Sequence, residues 1–358
     1  MKLVLAQGAE HTNPNRLCEV VSIINKQNGN SCNIQKSLDV CNQINEKYGI
    51  NITPFDVAVY LNDYVVEEKF DGYSYLNTEG KFFSKRLSAA KGNEGQPIEK
   101  TGHLPHLSPI MQRAYERGGL DLHGEIYIPN GISDDITKIL GCNEDEAVRR
   151  INADWGRRPK FMLIDIRAFH GIPTINEPYY VRRILLEYAF YKYIENADRQ
   201  HDISVAPILL GDPVVQFKRI VNSGGEGIII KKTSALYVPG KKPADNWIKG
   251  KKKITLDVII TGYNDGTGKN KSLFGSIEFG LYEGGKVVKC GNTSSGLNDD
   301  TRKLIAQDPD GYIGHVVEIE AIQESAKSFR NAVFIRLRAD KDMTECTRAS
   351  IRVVDRLI

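Results

Sequence analysis

The sequence contains few cysteines and no closely spaced pair of them. Six cysteines are scattered over 358 residues, and no Cys-x-x-Cys pair occurs. Zinc sites built from thiolates use such pairs, and disulfide-dependent domains are short and rich in cysteine. The sequence therefore predicts reduced cysteines that serve in packing, and it predicts no zinc site.

Long apolar runs are also absent. No stretch approaches the roughly 18 apolar residues of a membrane span, and the first apolar run is too short for a signal peptide. A content of 41% hydrophobic and 26% charged residues is that of an ordinary globular protein. We expect a protein of the cytoplasm, or of the host cytoplasm if the source is viral, with no membrane partner and a monomeric state.

The chain lacks a strong net charge, but its charges are unevenly distributed. The net charge is +3, yet residues 231–253 hold eight lysines against one acid, Asp245. Such a local positive field is typical of a surface that meets phosphate. A solvated, flexible surface is the alternative explanation of this segment taken alone.

The length predicts two domains and an appendage. Residues 1–55 are predicted to form a small helical region with two apolar faces and Gly49 as a stop signal. These faces consist of Leu17, Val20, Val21 and Ile24, and of Ile34, Leu38, Cys41 and Tyr48.

Residues 56–253 are predicted to form a mixed, sheet-rich domain. Two helices are expected there, one over residues 178–197 and one that starts at Asp212 and Pro213. Residues 254–358 change to five short strands separated by turns, which predicts a small β-barrel of the OB type with a C-terminal tail.

Lys69 is the first candidate for chemistry. It ends a hydrophobic run in "VVEEKFDGYSY" and precedes Asp71 and Gly72. It is either a surface charge beside a turn or a nucleophile at the mouth of a nucleotide pocket. Further polar positions on strand-like runs follow it, and two carboxylates with three lysines suggest a site for a metal-bound polyphosphate. These positions are Arg86, Glu125, Glu226, Lys249 and Lys251.

An ordered set of motifs decides between these two explanations. "EEKFDG" matches E-x-K-x-D-G, "LHGEIYIP" is similar to D-G-E, and "FMLIDI" is similar to the next F-D strand. "EGIIIKK" matches E-G-x-x-x-K, "NWIKGKKK" matches W-x-K-x-K, and "FRNAVFIRLRADK" ends in R-x-D-K. Over residues 65–341 the chain resembles ATP-dependent DNA ligases of the covalent nucleotidyltransferase superfamily, of the compact viral or small bacterial type.

The resemblance implies an α+β fold. An antiparallel-sheet nucleotidyltransferase (adenylation) domain would occupy residues 56–253, and an all-β OB-fold barrel would follow it. The implied substrates are ATP and nicked double-stranded DNA, with Mg²⁺ as cofactor. Lys69 would attack the α-phosphate of ATP and carry AMP to the 5′-phosphate of a nick, which the 3′-hydroxyl then seals.

The resemblance also assigns roles to individual residues. Lys249 and Lys251 would favour the neutral Lys69 amine and bind the α-phosphate, and Glu125 and Glu226 would hold Mg²⁺ or the ribose. The remaining nucleotide contacts would come from Glu67 at the adenine, Asp71, Gly72, Arg86 (with Lys85 as a substitute) and Ile164 against the base. Gly72 and Gly227 would let the backbone approach the nucleotide. Arg338, Asp340 and Lys341 would orient the leaving pyrophosphate.

Three positions depart from the family pattern. Ile164 stands before Asp165, where the family commonly has an aromatic residue that stacks on the base. Ser74 stands where K-x-D-G-x-R has arginine, and His123 stands where aspartate is usual. A histidine held by backbone is the simpler interpretation of His123. His103 and His106 are interpreted as a loop pair rather than as metal ligands.

Three other functions share part of this pattern. An RNA ligase shares Lys69 and the downstream motifs, and a capping enzyme shares Lys69 and an OB domain. The R-x-D-K ending favours a DNA ligase over both. An inactive DNA clamp would keep the shape but would not need the intact set of lysines and glutamates.

Overall fold

The computed structural model describes residues 34–58, 60–88, 94–240, 246–321, 323–324 and 328–354. The chain divides into two compact units, residues 1–250 and residues 251–358. The predicted apolar face of Leu17, Val20, Val21 and Ile24 lies outside the described residues. Within the described ranges, every helix is too short or too polar to cross a bilayer.

The first unit contains both helices and strands. Its helices are α1 (Ile34–Tyr48), α2 (Pro54–Ala58), α3 (Ser108–Gly118), α4 (Ser133–Leu140), α5 (Glu144–Ala153), α6 (Tyr179–Ala189) and α7 (Pro213–Asn222). The strands up to the boundary are β1 (Tyr64–Lys69), β2 (Gly72–Thr78), β3 (Lys81–Leu87), β4 (Pro97–Glu99), β5 (Asp121–Tyr127), β6 (Lys160–Phe169), β7 (Ile172–Pro173), β8 (Ile203–Val205), β9 (Ile208–Leu209), β10 (Gly227–Lys232) and β11 (Trp247–Lys251).

Two sheets organise this unit. One has the order β4-β3-β2-β5-β6-β7, with β8 added to β6, and the other has the order β11-β10-β1-β9. The ladders that β1 forms with β10 and β9 are antiparallel, and so are those that join β4, β3, β2, β5, β6 and β7 in order, whereas β8 runs parallel to β6. The predicted α+β class with largely antiparallel sheets is confirmed.

The helix starts follow from local capping. Asp212 accepts a hydrogen bond from the Val215 amide at 3.0 Å, and Pro213 occupies the first turn of α7, as predicted. Helices α3, α4 and α5 were not predicted, because each is short and the apolar pattern was assigned to strands or loops. A signal for α5 was present, since Asn143 caps the Glu146 amide and three acids follow in the first turn.

The hydrophobic core of the first unit is continuous from α1 to the larger sheet. Cys41, Ile44 and Tyr48 of α1 belong to the same buried cluster as Phe161 of β6. Leu38 was predicted on this apolar face but is 36% exposed. Gly49 ends the helix in the left-handed region, with φ of 63°, as its stop signal predicts.

The second unit is built on one six-stranded sheet. Its strands are β12 (Lys253–Asp265), β13 (Phe274–Glu283), β14 (Lys286–Thr293), β15 (Val316–Ala321), β16 (Gln323–Glu324), β17 (Phe329–Arg330), β18 (Val333–Leu337) and β19 (Arg352–Val354). The order is β14-β13-β12-β15-β18, with β19 on β12, and β16 and β17 form a separate pair. The five strands predicted from the sequence all lie within this set.

The prediction of an all-β closed barrel needs correction. Helix α8 (Asp299–Ala306) follows β14, and Asn298 caps it by accepting from the Thr301 amide at 2.7 Å. The two ends of the sheet are linked in the described residues by a single bridge, Ser295 to Val333. A single bridge is not a ladder, so the sheet curls without closing.

A buried ion pair joins α6 to β6. Arg182 and Asp165 are both fully buried, and the guanidinium donates to both carboxylate oxygens at 2.8 and 3.0 Å. Arg182 also donates to the carbonyl oxygens of Glu177 and Ala235. The Ile166 amide donates to Asp165, so both charged groups have further hydrogen bonds besides the ion pair.

We predict that Asp165→Asn destabilises the fold strongly. The substitution leaves the Arg182 guanidinium buried without its counter-charge, and breaking one side of such a pair costs about 3–5 kcal/mol. Chemical denaturation would measure the change in the free energy of unfolding.

The matched control is Glu146→Gln, which breaks an exposed pair with Arg149 within α5. Surface pairs contribute little, so this variant should unfold almost like the wild type. Equal losses in the two variants would contradict the assigned role of the buried pair.

Candidate active site

The pairing of β1 with β10 brings the first candidate residues together. Lys69 lies opposite Gly227 at the end of this antiparallel ladder. Glu226 immediately precedes Gly227, and its carboxylate forms an ion pair with the Lys69 ammonium. Gly227 has φ of 145°, a conformation that favours glycine, so the chain can turn into β10 directly after the acid.

Lys69 faces a cleft between the two sheets of the first unit. The cleft has a volume of about 500 Å³, which falls in the range of small-molecule sites. It is lined by Glu68, Lys69, Phe70, Ser74, Lys85, His123, Glu125, Ile164, Ile229, Gly240, Trp247 and Lys249. The structure therefore collects four of the predicted residues, Lys69, Glu125, Ile164 and Lys249, in one place.

The acidic side of the cleft carries a shifted carboxyl group. The pKa of Glu125 is raised to about 7, mainly by burial and also by the nearby Glu226 and Asp71 carboxylates, while the Lys69 and Lys85 ammonium groups oppose the shift. Because this pKa is raised in the folded chain, the group favours folding at low pH and loses that contribution as the pH rises towards about 7. A cation in the cleft would stabilise the ionised form.

The cationic side comes from β3 and β11. Lys85 lines the cleft, and partial burial lowers its pKa, with Glu125 opposing that shift. Lys249 reaches the cleft from β11 with an exposed side chain. Lys251 follows two residues later on the same face of the strand, at the boundary of the unit. The motif alignment favours Arg86 over Lys85; the structure places Lys85 at the cleft, and the side chain of Arg86 lies outside the described part of the chain.

An apolar wall lies across from these charges. Met162, Ile164 and Ala206 form a small buried cluster, and Trp247 and Phe70 pack against it. Ile164 is 9% exposed and lines the cleft, so an aliphatic surface occupies the predicted base-binding position.

Glu67 is buried and is not among the residues that line the cleft, and its predicted contact with adenine stays a prediction. Its side chain is 1% exposed. Tyr179 donates a hydrogen bond to it, Arg183 donates at 3.2 Å, and the Lys231 ammonium lies 2.6 Å away. Three donors therefore hold the Glu67 carboxylate behind the cleft.

Lys231 is not among the site residues predicted from the sequence. It belongs to the lysine-rich segment 231–253, but it does not lie on the surface. It is fully buried, and burial lowers its pKa, while Glu67 and Asp165 oppose the shift. Its ammonium donates to the Ile164 carbonyl at 3.0 Å and lies 4.2 Å from the centre of the Trp247 ring. The signal was its place at the end of the E-G-x-x-x-K motif.

Strand packing already requires a glycine at position 72, and the predicted approach of its backbone to a nucleotide stays a prediction. A Cβ atom at this position would lie 2.1 Å from the Ile126 carbonyl oxygen on β5. The close approach of β2 to β5 therefore excludes a side chain at Gly72. Asp71, just before it, acts on the pKa of Glu125.

The predicted histidine loop contains hydrogen-bonded side chains. His103 bonds the Cys142 carbonyl at 2.9 Å, and His106 bonds the Pro159 carbonyl at 2.8 Å. Across the described part of the chain, no three His, Cys, Asp or Glu side chains converge as a metal site.

The R-x-D-K motif lies in the second unit and is internally paired. Arg338 is 8% exposed, donates to both carboxylate oxygens of Asp340 at 2.8 Å, and donates to Asp257 at 2.9 Å. Its bonds to Asp340, and the charges of Asp257 and Glu318, raise the pKa of Arg338. Lys341 pairs with Glu345 and is 30% exposed. Arg338 is thus fixed, and Lys341 is the more accessible cation.

Comparisons with known proteins place the chain in one family. The model of the ATP dependent DNA ligase domain matches residues 56–251. DNA ligase 2 of Methanosarcina mazei is 27% identical over 325 residues, covering 80% of this chain and 53% of the relative. The DNA ligase of Methanocorpusculum labreanum is 26% identical over 313 residues, covering 78% and 52%. The chain therefore spans about half the length of these relatives.

Solved structures agree on the fold. A structure from a study of Lig E DNA ligases, described as DNA binding with a minimal scaffold, superposes with a TM-score of 0.55. It is 18% identical, and the match covers 77% of this chain and 93% of that one. The family match covers more than half of the chain, from within α2 to the end of β11, and the chain belongs to the ATP-dependent DNA ligase family.

Proposed function

We propose that the chain is an ATP-dependent DNA ligase that seals 5′-phosphate/3′-hydroxyl nicks in duplex DNA. The observation that carries this proposal is the position of Lys69, beside Glu226 in a cleft of about 500 Å³ that Glu125 and Lys249 also line. A lysine nucleophile, a carboxylate pair and a phosphate-binding lysine are the groups that nucleotidyl transfer to an amine requires.

The first step needs the free amine of Lys69. An ammonium near the ordinary lysine pKa of about 10.4 has no lone pair for attack on phosphorus. The ion pair with Glu226 therefore has to open, and the proton has to leave, before reaction. Attack by Nζ then forms the N–P bond, breaks the bond from the α-phosphorus to the bridging oxygen, and releases pyrophosphate.

The second and third steps transfer the AMP and seal the nick. An oxygen of the 5′-phosphate attacks the α-phosphorus, the N–P bond breaks, and Lys69 is regenerated. The 3′-hydroxyl oxygen then attacks the 5′-phosphorus, the phosphodiester bond forms, and AMP leaves. Lys249, and Lys251 beyond it on β11, would offset the charge on the transferred phosphate.

Glu125 and Glu226 are suited to hold Mg²⁺. The Glu125 carboxyl has a pKa of about 7 and lies in the negative potential of Glu226 and Asp71, which a divalent cation would relieve. Mg²⁺ takes one or two carboxylates together with water and substrate phosphates, so a larger protein cluster is not needed. Bound there, the ion would neutralise charge on the phosphate oxygens.

The nucleoside would lie on the apolar side of the cleft. Ile164 would contact the base, and Lys85, with Arg86 beside it on β3, would contact the ribose or the nick phosphate. Glu67 would support this wall from behind through Lys231.

We assign residues 56–253 to the adenylation domain and residues 254–358 to an OB-type domain, with residues 1–55 as a helical addition. The basic residues of both domains would contact DNA phosphates, and the chain would act as a cytoplasmic monomer.

Arg338, Asp340 and Lys341 are proposed to act on pyrophosphate during the first step. In-line displacement drives pyrophosphate away from the amine, so a cation is needed on the far side of ATP. The pairing of Arg338 with Asp257 and Asp340 suggests that it orients the motif, and that Lys341 makes the contact.

We predict that Lys69→Ala abolishes formation of the AMP adduct. Each protein would be incubated with ATP and Mg²⁺, denatured, and weighed by mass spectrometry. Wild type should gain the mass of one adenylyl group, because the N–P bond survives denaturation. Lys192→Ala, which removes an exposed lysine from the π-helical turn Phe190–Ile194, is the matched control and should still form the adduct. An undiminished adduct on Lys69→Ala would refute the proposal.

We predict that Lys341→Ala separates the steps of the reaction. Adduct formation from ATP should fall by about a hundredfold or more, the loss typical of removing one preorganised donor from a charged transition state. Sealing of a nick that already carries 5′-AMP should stay near the wild-type rate, since no pyrophosphate is present.

Lys286→Ala is the control, because Lys286 is an exposed lysine at the start of β14 in the same unit. Arg338→Ala should show the same step dependence and should also unfold at lower temperature. Equal losses in both assays for Lys341→Ala would mean that the residue serves DNA binding instead.

A further inference from the structure

Two of the three departures from the family motifs are in direct contact. Position 74 carries serine in place of arginine, and position 123 carries histidine in place of aspartate. The β2–β5 ladder sets Ser74 opposite Glu125 and Leu76 opposite His123. Ser74 Oγ lies 2.8 Å from His123 Nε2, so the two side chains share a hydrogen bond.

This contact joins the two departures in one hydrogen-bonded unit. The family pattern has an arginine and an aspartate at these positions, and here a hydroxyl and an imidazole bond each other. His123 is 1% exposed. An aspartate placed at position 123 alone would therefore be a buried charge without a cation beside it, which is costly. An arginine placed at position 74 alone would meet an imidazole rather than a carboxylate.

His123 extends the contact to Trp247. The two rings are nearly parallel, with an interplanar angle of 12° and centroids 6.5 Å apart. Tyr237 packs edge-on against His123, at 83° and 6.0 Å. The Trp247 ring also lies above the buried Lys231 ammonium and packs against Tyr179. Trp247 is thus held by His123 and by the network behind the cleft.

Trp247 fixes the strand that supplies the catalytic lysine. Trp247 and Lys249 are two residues apart on β11, so they share one face of the strand, and both line the cleft. A shift of the Trp247 ring would move the Lys249 ammonium relative to the nucleotide. Displacements of about 1 Å at such a site are enough to cost a hundredfold in rate.

We propose that Ser74 and His123, which stand where the family pattern has arginine and aspartate, form one positioning unit that holds Trp247 and thereby sets Lys249 for adenylation. The proposal rests on the proposed function, because adenylation is its readout. It assigns no contact with ATP to either residue. Loss of the unit should therefore lower the rate of adduct formation at saturating ATP and leave the ATP concentration for half-maximal rate nearly unchanged.

The test is a cycle of charge-restoring substitutions. Ser74→Arg alone and His123→Asp alone should each lower the saturated rate of adduct formation by at least about tenfold. The double variant, which restores the family pair, should return to within about threefold of wild type, because residues in contact are non-additive. The matched control is Ser74→Arg with His123→Asn, which lacks the carboxylate and should not recover.

A second set of variants tests the proposal if the charged variants fail to fold. Ser74→Ala and His123→Ala create no buried charge, and the Ser74→Ala/His123→Ala double should be no slower than His123→Ala alone. In a Trp155→Phe background, Trp247 is the remaining tryptophan, so its emission should shift to the red in His123→Ala if the ring loses its support.

Three results would overturn the proposal. The first is a double charge variant whose loss equals the product of the single losses. The second is a pair of alanine variants whose losses multiply. The third is a change in the ATP requirement without a change in the saturated rate, which would mean that the pair contacts ATP. If wild type forms the AMP adduct, these results count against the positioning unit alone. If wild type forms no adduct, the proposed function itself fails.

Discussion

The register between β1 and β10 is the constraint on which the site depends. Lys69 lies opposite Gly227, and Glu67 lies opposite Ile229, on the same ladder. This register creates two ion pairs between the same two strands: Lys69 with Glu226 at the cleft, and Glu67 with Lys231 behind it. Because strand side chains alternate, a slip by one residue would turn Lys69 away from the cleft.

The buried charges behind the cleft give this register its stiffness. Glu67 is held by three donors, and Lys231 bonds the Ile164 carbonyl and supports the Trp247 ring. Burying such groups is costly, and the cost is offset only when every partner is in place. The base-binding wall at Ile164 and the β11 strand are therefore tied to the same network as the nucleophile. The proposed transfer of AMP would therefore take place beside side chains that this buried network holds in place.

The sequence predicted the residues of the cleft better than their individual roles. Ordered motifs brought Lys69, Glu125 and Lys249 to one site, because each motif is tied to a strand position in a known fold. The burial of Glu67 could not be predicted, because the pattern E-x-K places both side chains on one face but does not show which donors converge from α6 and β10. The packing requirement at Gly72 could not be predicted either, because a close approach of two strands cannot be read from one strand.

Other features required the structure. The contact between Ser74 and His123 depends on the β2–β5 register, which places residues 49 positions apart side by side. Whether the second sheet closes depends on long-range pairing between β18 and the segment after β14, which is limited to one bridge in the described residues. Helices α3, α4 and α5 are short enough that tertiary packing, rather than periodicity, stabilises them.

The most direct test of the account follows the label from ATP through the protein to DNA. The protein would be charged with ATP labelled at the α-phosphate, freed of ATP, and mixed with a nicked duplex that carries a 5′-phosphate. The account predicts that the label leaves the protein, appears on the 5′ end of the nick, and is released as AMP while the strand becomes continuous. Duplexes with RNA on either side of the nick would be run in parallel. Label that stays on the protein, or that is released while a DNA nick remains open, would contradict it.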